Sequence, residues 1–345
     1  MTKHGLIETI KDIEKMERTP WREQCSDVST YDAIKRSALQ HGDLPALQFL
    51  PTGSGEDIPH LITYGELLQR ITQTANLFHS LNVGPEDVVS YILPNFPETH
   101  EIIWGAETTG IVNAINPFLE PGTIRKLLSA AQSKIIISTP PMPGLNLWDP
   151  MVAVADQLDH VTTLLFVDPA PYFGMPPTRL PLKTPGGKPI LRFQDERDAE
   201  PESALTFDRV IKADSIASLF HTGGTTGVPK LAPHSHENEV FNAWAISQIT
   251  PFEPGEVILT GLPLFHVNAV IISGLSAFLA GASQLMVGPF GFRGPSVIAN
   301  IWKLIARHKV VSMSGVPTVY AAMMSVPKDG LDISSFRSAA VGAAP

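Results

Sequence analysis

The chain has 345 residues, 43% of them hydrophobic, and a formal net charge of −9. That length can bury a large core in more than one subdomain, and the acidic balance excludes the basic face that general nucleic-acid binding needs. Cys25 is the only cysteine, so no internal disulfide framework is possible and a reducing, cytoplasmic setting is expected.

Residues 1–59 read as an N-terminal extension. The run Lys-Asp-Ile-Glu-Lys-Met-Glu-Arg at 11–18 is too charged for the apolar core of a secretory signal. A first α/β subdomain is expected over 60–213. Leu67, Leu68, Ile71, Ala75, Leu77 and Phe78 fall close to helical spacing over 66–81. A short buried strand follows at 88–93, closed by Pro94 and Asn95, then a helix at 99–109 ended by Gly110. Strand 111–115, helix 123–132 and strand 134–138 continue the alternation, which implies parallel pairing with right-handed crossovers. The proline- and glycine-rich stretch from 140 to about 213 reads as a surface connection interrupted by one strand at 163–167.

The pattern restarts over 214–345, a second subdomain expected to be incomplete. Strands are expected at 215–220, 257–260, 283–287 and 310–313, with helices at about 236–248, 269–280 and 295–308. The longest apolar stretch, 269–282, contains Ser and Gly and is shorter than the roughly 18 residues that mark a membrane span, so it reads as a buried helix.

The most informative segment follows the strand at 215–220. Thr222, Gly223, Gly224, Thr225, Thr226 and Gly227 lead through Pro229 to Lys230. Glycines let backbone amides approach a ligand without a Cβ in the way, threonines add hydroxyl donors, and lysine adds a positive charge. Such a loop fits a polyphosphate. It is neither of two familiar phosphate loops: Leu231 stands where G-x-x-x-x-G-K-[ST] needs Ser or Thr, and the glycine spacing breaks G-x-G-x-x-G. A plain Gly/Thr-rich surface turn remains the alternative on this segment alone. His236-Glu237 lacks the second histidine of a zinc-protease motif, there is no C-x-x-C, and no G-x-S-x-G nucleophile elbow occurs.

The loop resembles the T-S-G-T-T-G-x-P-K-G motif of the adenylate-forming superfamily, which contains acyl-CoA synthetases, peptide-synthetase adenylation domains and luciferases. Gly223 and Leu231 depart from it, removing one hydroxyl and stiffening the exit. Other segments resemble the family in order: Leu-Ile-Thr-Tyr-Gly-Glu-Leu at 61–67, Leu-Pro-Asn-Phe-Pro-Glu at 93–98, Asn116-Pro117, Ser235-His236-Glu237-Asn238, Leu-Pro-Leu-Phe-His at 262–266, Val-Pro-Thr-Val-Tyr at 316–320, and Gly342-Ala343-Ala344-Pro345. The wording is most similar to bacterial-type fatty acyl-CoA synthetases.

The resemblance implies the large N-terminal α/β domain of that family, two stacked and mainly parallel sheets with helices. It implies ATP-dependent conversion of a carboxylic acid to an acyl-adenylate, then transfer to CoA, with magnesium required. Thr222, Gly223, Gly224, Thr225, Thr226, Gly227 and Lys230 would hold the phosphates, and the turn Gly342, Ala343, Ala344 and Pro345 would lie beside adenine. His266, Thr226 and Lys230 would be catalytic, and His266, Val267, Asn268 and Val270 would meet the acid, with Leu275 as a further wall. The family's magnesium-binding glutamate, its hinge and its C-terminal lysine have no counterpart in 1–345, so no metal ligand is assigned. The chain is expected to be part of a longer synthetase and inactive alone. An aryl acid as substrate and an inactive nucleotide-binding fragment remain open alternatives.

Overall fold

The computed structural model describes Ile7, residues 9–222 and residues 230–342. Expectations placed on 223–229 and 343–345 lie outside the described residues. In chain order the strands are β1 (Pro45–Leu50), β2 (His60–Thr63), β3 (Val88–Tyr91), β4 (Ile111–Ala114), β5 (Ser133–Ser138), β6 (Thr163–Phe166), β7 (Ile190–Arg192), β8 (Ile216–His221), β9 (Leu231–Ser235), β10 (Val257–Thr260), β11 (Ser283–Val287), β12 (Val310–Gly315) and β13 (Ser338–Val341).

They form two sheets, as expected. One runs β7-β6-β5-β3-β4-β8-β9 and the other β13-β12-β10-β11-β1-β2. All pairings are parallel except β8 with β9 and β1 with β2. Sheet membership does not follow the divisions drawn from sequence at 59/60 and 213/214. Strand β1 lies between β11 and β2, and β8 adds to β4. Each sheet is therefore assembled from distant parts of the chain, because hydrophobic burial selects faces and not sequence order.

Between the sheets lies a layer of helices that shares one core with both. Helix Tyr64–Ser80, expected over 66–81, begins two residues earlier, at a capped start. Thr63 accepts from the amide of Glu66, and the Glu66 carboxylate accepts from the amide of Thr63, which satisfies two end-of-helix donors. It packs on helix Pro97–Thr109, all of whose residues are buried. Gly105 makes this approach possible: a Cβ there would sit 2.6 Å from Cγ2 of Thr74. Helices Pro121–Ala130 and Trp148–Gln157 cover the outer face of the first sheet, and helix Ile301–His308 covers the second.

Two expectations need correction. The stretch 140–213 is not a connection with one strand. It also contains helix Trp148–Gln157, strand β7 and the short helix Phe193–Asp198. Pro150 disguised the first of these, yet it stands in the first turn, where a missing N–H costs nothing. The expected helix at 269–280 opens as a π-helix over Asn268–Leu275, in which the amide of Ser276 reaches back five residues to Ile271.

Adding a methyl group at Gly105 would force the two central helices apart. Gly105→Ala should destabilise the fold by about 1–3 kcal/mol, read as a lower urea midpoint at unchanged slope.

Candidate active site

The parallel strands converge on a cleft of about 460 Å³, within the range of small-molecule sites. Its walls come from segments that follow β3, β4, β10, β11, β12 and β13. It therefore sits outside the carboxyl ends of the strands, where open α/β sheets bind ligands.

The loop after β10 carries the central residue. Asn95, just beyond β3, donates from its amide nitrogen to the Leu262 carbonyl (2.9 Å) and accepts from the Leu264 amide (2.8 Å). Its own backbone N–H donates to the Pro289 carbonyl at 2.8 Å. Tyr91 donates its hydroxyl to the Leu264 carbonyl. The loop is thus tied to the other sheet two residues before His266. A second tie is backbone contact: the Phe292 amide donates to the Gly261 carbonyl at 2.9 Å. Gly291 lies at φ 52°, and a Cβ there would fall 2.0 Å from that same oxygen, so only glycine allows the approach.

His266 is exposed to the cleft. Its Nδ1 accepts from the backbone amide of Asn268 at 3.3 Å. That bond leaves the hydrogen of the neutral ring on Nε2, which is then a donor. Desolvation by the surrounding walls lowers its pKa from the ordinary 6.5, so the neutral form prevails at physiological pH.

The hairpin of β8 and β9 brings His221, just before the glycine- and threonine-rich segment, close to His266. The Thr222 amide donates to the Lys230 carbonyl at 2.8 Å, closing the described base of that loop, and Lys230 is exposed. His221, the last residue of β8, has its pKa lowered first by burial and then by the proximity of His266. Its Nε2 accepts from the Asn116 amide at 3.2 Å. The imidazole at 266 and the root of the loop are neighbours.

Of the other expected residues, Val267, Asn268 and Gly342 line the cleft. The Asn268 amide nitrogen lies 4.0 Å from where a Cβ on Gly342 would stand, so residues far apart in sequence meet here. Val270 and Leu275 do not line it; both are fully buried in the core between the sheets, and Ile272 takes the wall position. Val270 stands about half a turn from Asn268 in either helix type and so faces away from the wall, whereas the wider π-turn moves Leu275 off the face that α-helical spacing would give it. Gly223, Gly224, Thr225, Thr226, Gly227, Ala343, Ala344 and Pro345 lie outside the described residues.

Several contributors carried weaker signals. Asn95 sat within a recognised Pro-Asn turn, but nothing local showed that it grips a loop far along the chain. Phe118, Phe290 and Arg293 come together only in space: the two rings are 5.9 Å apart and the guanidinium lies 5.3 Å over Phe118. Tyr320 is a strand tie, donating to the carbonyl of Ala340 at 2.8 Å. Cys25 is buried, and burial pushes its thiol pKa up, so it is no nucleophile. Among the described residues no group of His, Cys, Asp and Glu is arranged to hold a metal ion.

Comparison with known proteins follows the same lines. A family model described as AMP-binding enzyme matches residues 34–345. The marinolic acid–CoA ligase of a Pseudoalteromonas species is 31% identical over 98% of this chain and 50% of its own length. Arabidopsis thaliana 4-coumarate–CoA ligase 1 is 29% identical over 92% of this chain and 53% of its own. The long-chain-fatty-acid–CoA ligase of Thermus thermophilus is 27% identical over 95% of this chain and 55% of its own. The chain thus spans about half the length of these relatives. In fold it is similar to the N-terminal domain of FACL13 from Mycobacterium tuberculosis, with TM-score 0.69 at 21% identity over 92% of this chain and 71% of that one. A match over most of the chain, together with this architecture, places the protein in the AMP-binding enzyme family.

Proposed function

We propose that this chain is the acid- and nucleotide-binding part of an AMP-forming acid–CoA ligase. The observation that carries the reading is the proximity of His266, which lines the cleft at the strand ends, to His221 at the root of the 222–230 loop. In the first step a carboxylate oxygen attacks the α-phosphorus of ATP, and the bond to pyrophosphate breaks with its electron pair. In the second, the CoA sulfur attacks the acyl carbonyl, AMP leaves, and the thiol proton is released.

A carboxylate and a triphosphate repel each other, so the protein's work is to hold them together and stabilise charge on phosphorus. Amides and hydroxyls of Thr222, Gly223, Gly224, Thr225, Thr226 and Gly227 cradle the outer phosphates, with Lys230 as a supplementary charge. The Nε2–H of His266 donates to oxygen between acid and α-phosphate. Asn268 and Val267 flank the acid, and the turn Gly342, Ala343, Ala344 and Pro345 borders adenine. Magnesium, for which no protein ligand is assigned among the described residues, would supply charge screening of the phosphates.

The acid is one with an apolar tail, a fatty acid in the first instance. Phe118, Phe265, Ile272, Phe290, Val316 and Val319 surround the site, while Asn95, His266, Asn268 and Arg293 supply its polar side chains. The relatives' names include marinolic, 4-coumaric and long-chain fatty acids, and also sulfoacetate. An aryl acid is the second reading, favoured by the aromatic walls. The protein works in the cytoplasm, consistent with its unpaired buried cysteine. No helix among the described residues is long and apolar enough to cross a membrane.

Calorimetry with acyl-sulfamoyl adenosines, stable mimics of the adenylate, tests this on the 345-residue chain. The decanoyl compound should bind more tightly than the glycyl one, and His266→Ala should weaken it about 10- to 100-fold. Binding of the glycyl compound alone would remove the acyl-CoA reading. The His266 ring, followed by proton NMR, should titrate with a midpoint below 6.5, because its folded pKa is depressed. Affinity should therefore stay level as pH falls to that value and change only beneath it. In ATP–pyrophosphate exchange by the ligase, Thr226→Ala should lower the rate roughly 10²- to 10³-fold. Thioester formation by the 345-residue chain itself would exclude an inactive nucleotide-binding fragment.

A further inference from the structure

Beneath the hairpin lie two carboxyl groups that the proposed chemistry does not use. Glu107 is on the central helix Pro97–Thr109 and Glu239 on helix His236–Ile249, with exposures of 0% and 1%. Glu239 stands in the first turn of its helix, where the dipole favours an acid, yet it is buried. Two neighbouring buried anions would be prohibitively costly.

The hydrogen bonds show how the pair is accommodated. Oε2 of Glu107 accepts from the Thr30 hydroxyl at 2.6 Å. Oε1 of Glu239 accepts from the Ser218 hydroxyl and lies 3.4 Å from Nδ1 of His234. The remaining oxygens, Oε1 of Glu107 and Oε2 of Glu239, are both buried without a hydrogen-bonding donor. The two side chains are within hydrogen-bonding reach of each other. One proton between these orphaned oxygens satisfies both.

Ser218 belongs to β8 and His234 to β9, and the two residues are paired across the hairpin. The His234 ring also stacks on Phe220 with centroids 5.1 Å apart. Glu239 therefore touches both strands that present the 222–230 loop. We propose that Glu107 is a neutral acid donating from Oε1 to Oε2 of Glu239, and that this bonded pair is a positioning clamp holding β8 and β9 for nucleotide binding. The nucleotide part of this assignment rests on the function proposed above; the clamp itself does not.

Other polar groups around the pair do not discharge it. Arg209 donates to the backbone carbonyls of Glu107, Thr108 and Gly110. His236, its pKa lowered to about 3 by burial, is neutral, and its Nδ1 accepts from the Thr30 amide at 3.4 Å. Tyr91, whose pKa burial holds well above the ordinary 10, keeps its proton and donates to Leu264. Burial and the Glu239 charge likewise raise the Glu107 pKa well above 4.5. The sign follows: the folded state retains a proton that the unfolded chain releases above 4.5, so the clamp is intact at low pH and weakens as pH rises through the folded value.

Hydrogen exchange of β8 and β9 amides in the 345-residue chain, expressed as protection factors, tests the clamp. In the wild type protection should fall with rising pH more steeply in the hairpin than in β3 and β5. Glu239→Leu fills the site with an apolar side chain, a change that buried ionic sites tolerate. It should lower hairpin protection at least about tenfold and leave β3 and β5 unchanged. Glu107→Gln replaces the shared O–H by an amide N–H, so it should keep the protection and remove the extra pH dependence. Unchanged hairpin protection in Glu239→Leu, or an unaltered pH response in Glu107→Gln, would overturn the proposal. ATP affinity, measured in parallel, separates the two ideas. If the exchange results hold but wild-type protein binds no ATP, the clamp stands and the functional reading falls.

Discussion

Complete burial of the helix Pro97–Thr109 is the constraint on which the remaining structure depends. It lies between two sheets with no solvent-facing side, although its sequence includes Glu98, His100, Glu101 and Glu107. Burying its carboxylates is costly unless they find partners. Arg70 and Arg197 meet Glu101, Tyr172 and Gln194 donate to Glu98, and Thr30 donates to Glu107. These partners come from elements spread from residue 30 to 197. The helix therefore organises the fold as a specification of who must be next to it, beyond its contribution of apolar surface.

Both ends of that helix bear on the cleft. Immediately before it, Asn95 and the strand residue Tyr91 hold the loop that leads to His266. Near its other end, Glu107 reaches Glu239, which touches the hairpin strands. Imidazole and loop are thus referenced to one rigid element, although they approach from different sheets. Rigid support of this kind is what catalysis by positioning requires, because small displacements between reacting groups are expensive.

Much of this was legible beforehand. The N-cap at Ser235 and strands 257–260 and 283–287 follow from local chemistry and short-range pattern. The glycine–threonine segment and His266 were visible as motifs. Less visible were helix Trp148–Gln157, hidden by a harmless proline, and the true facing of Val270 and Leu275. The facing of Leu275 depends on a π-turn that no side-chain pattern announces. Asn95 and His221 entered the site only through partners far along the chain.

Sequence by itself determined the class of fold, the alternation of buried strands and helices, and the N-cap at Ser235. These rest on interactions within a few residues: periodicity and caps. Tertiary structure alone decided which strands share a sheet, that Glu107 and Glu239 face each other, and that His266 lies beside His221. Such facts depend on long-range packing, where the same apolar or acidic residue is compatible with several surroundings until the whole core has closed.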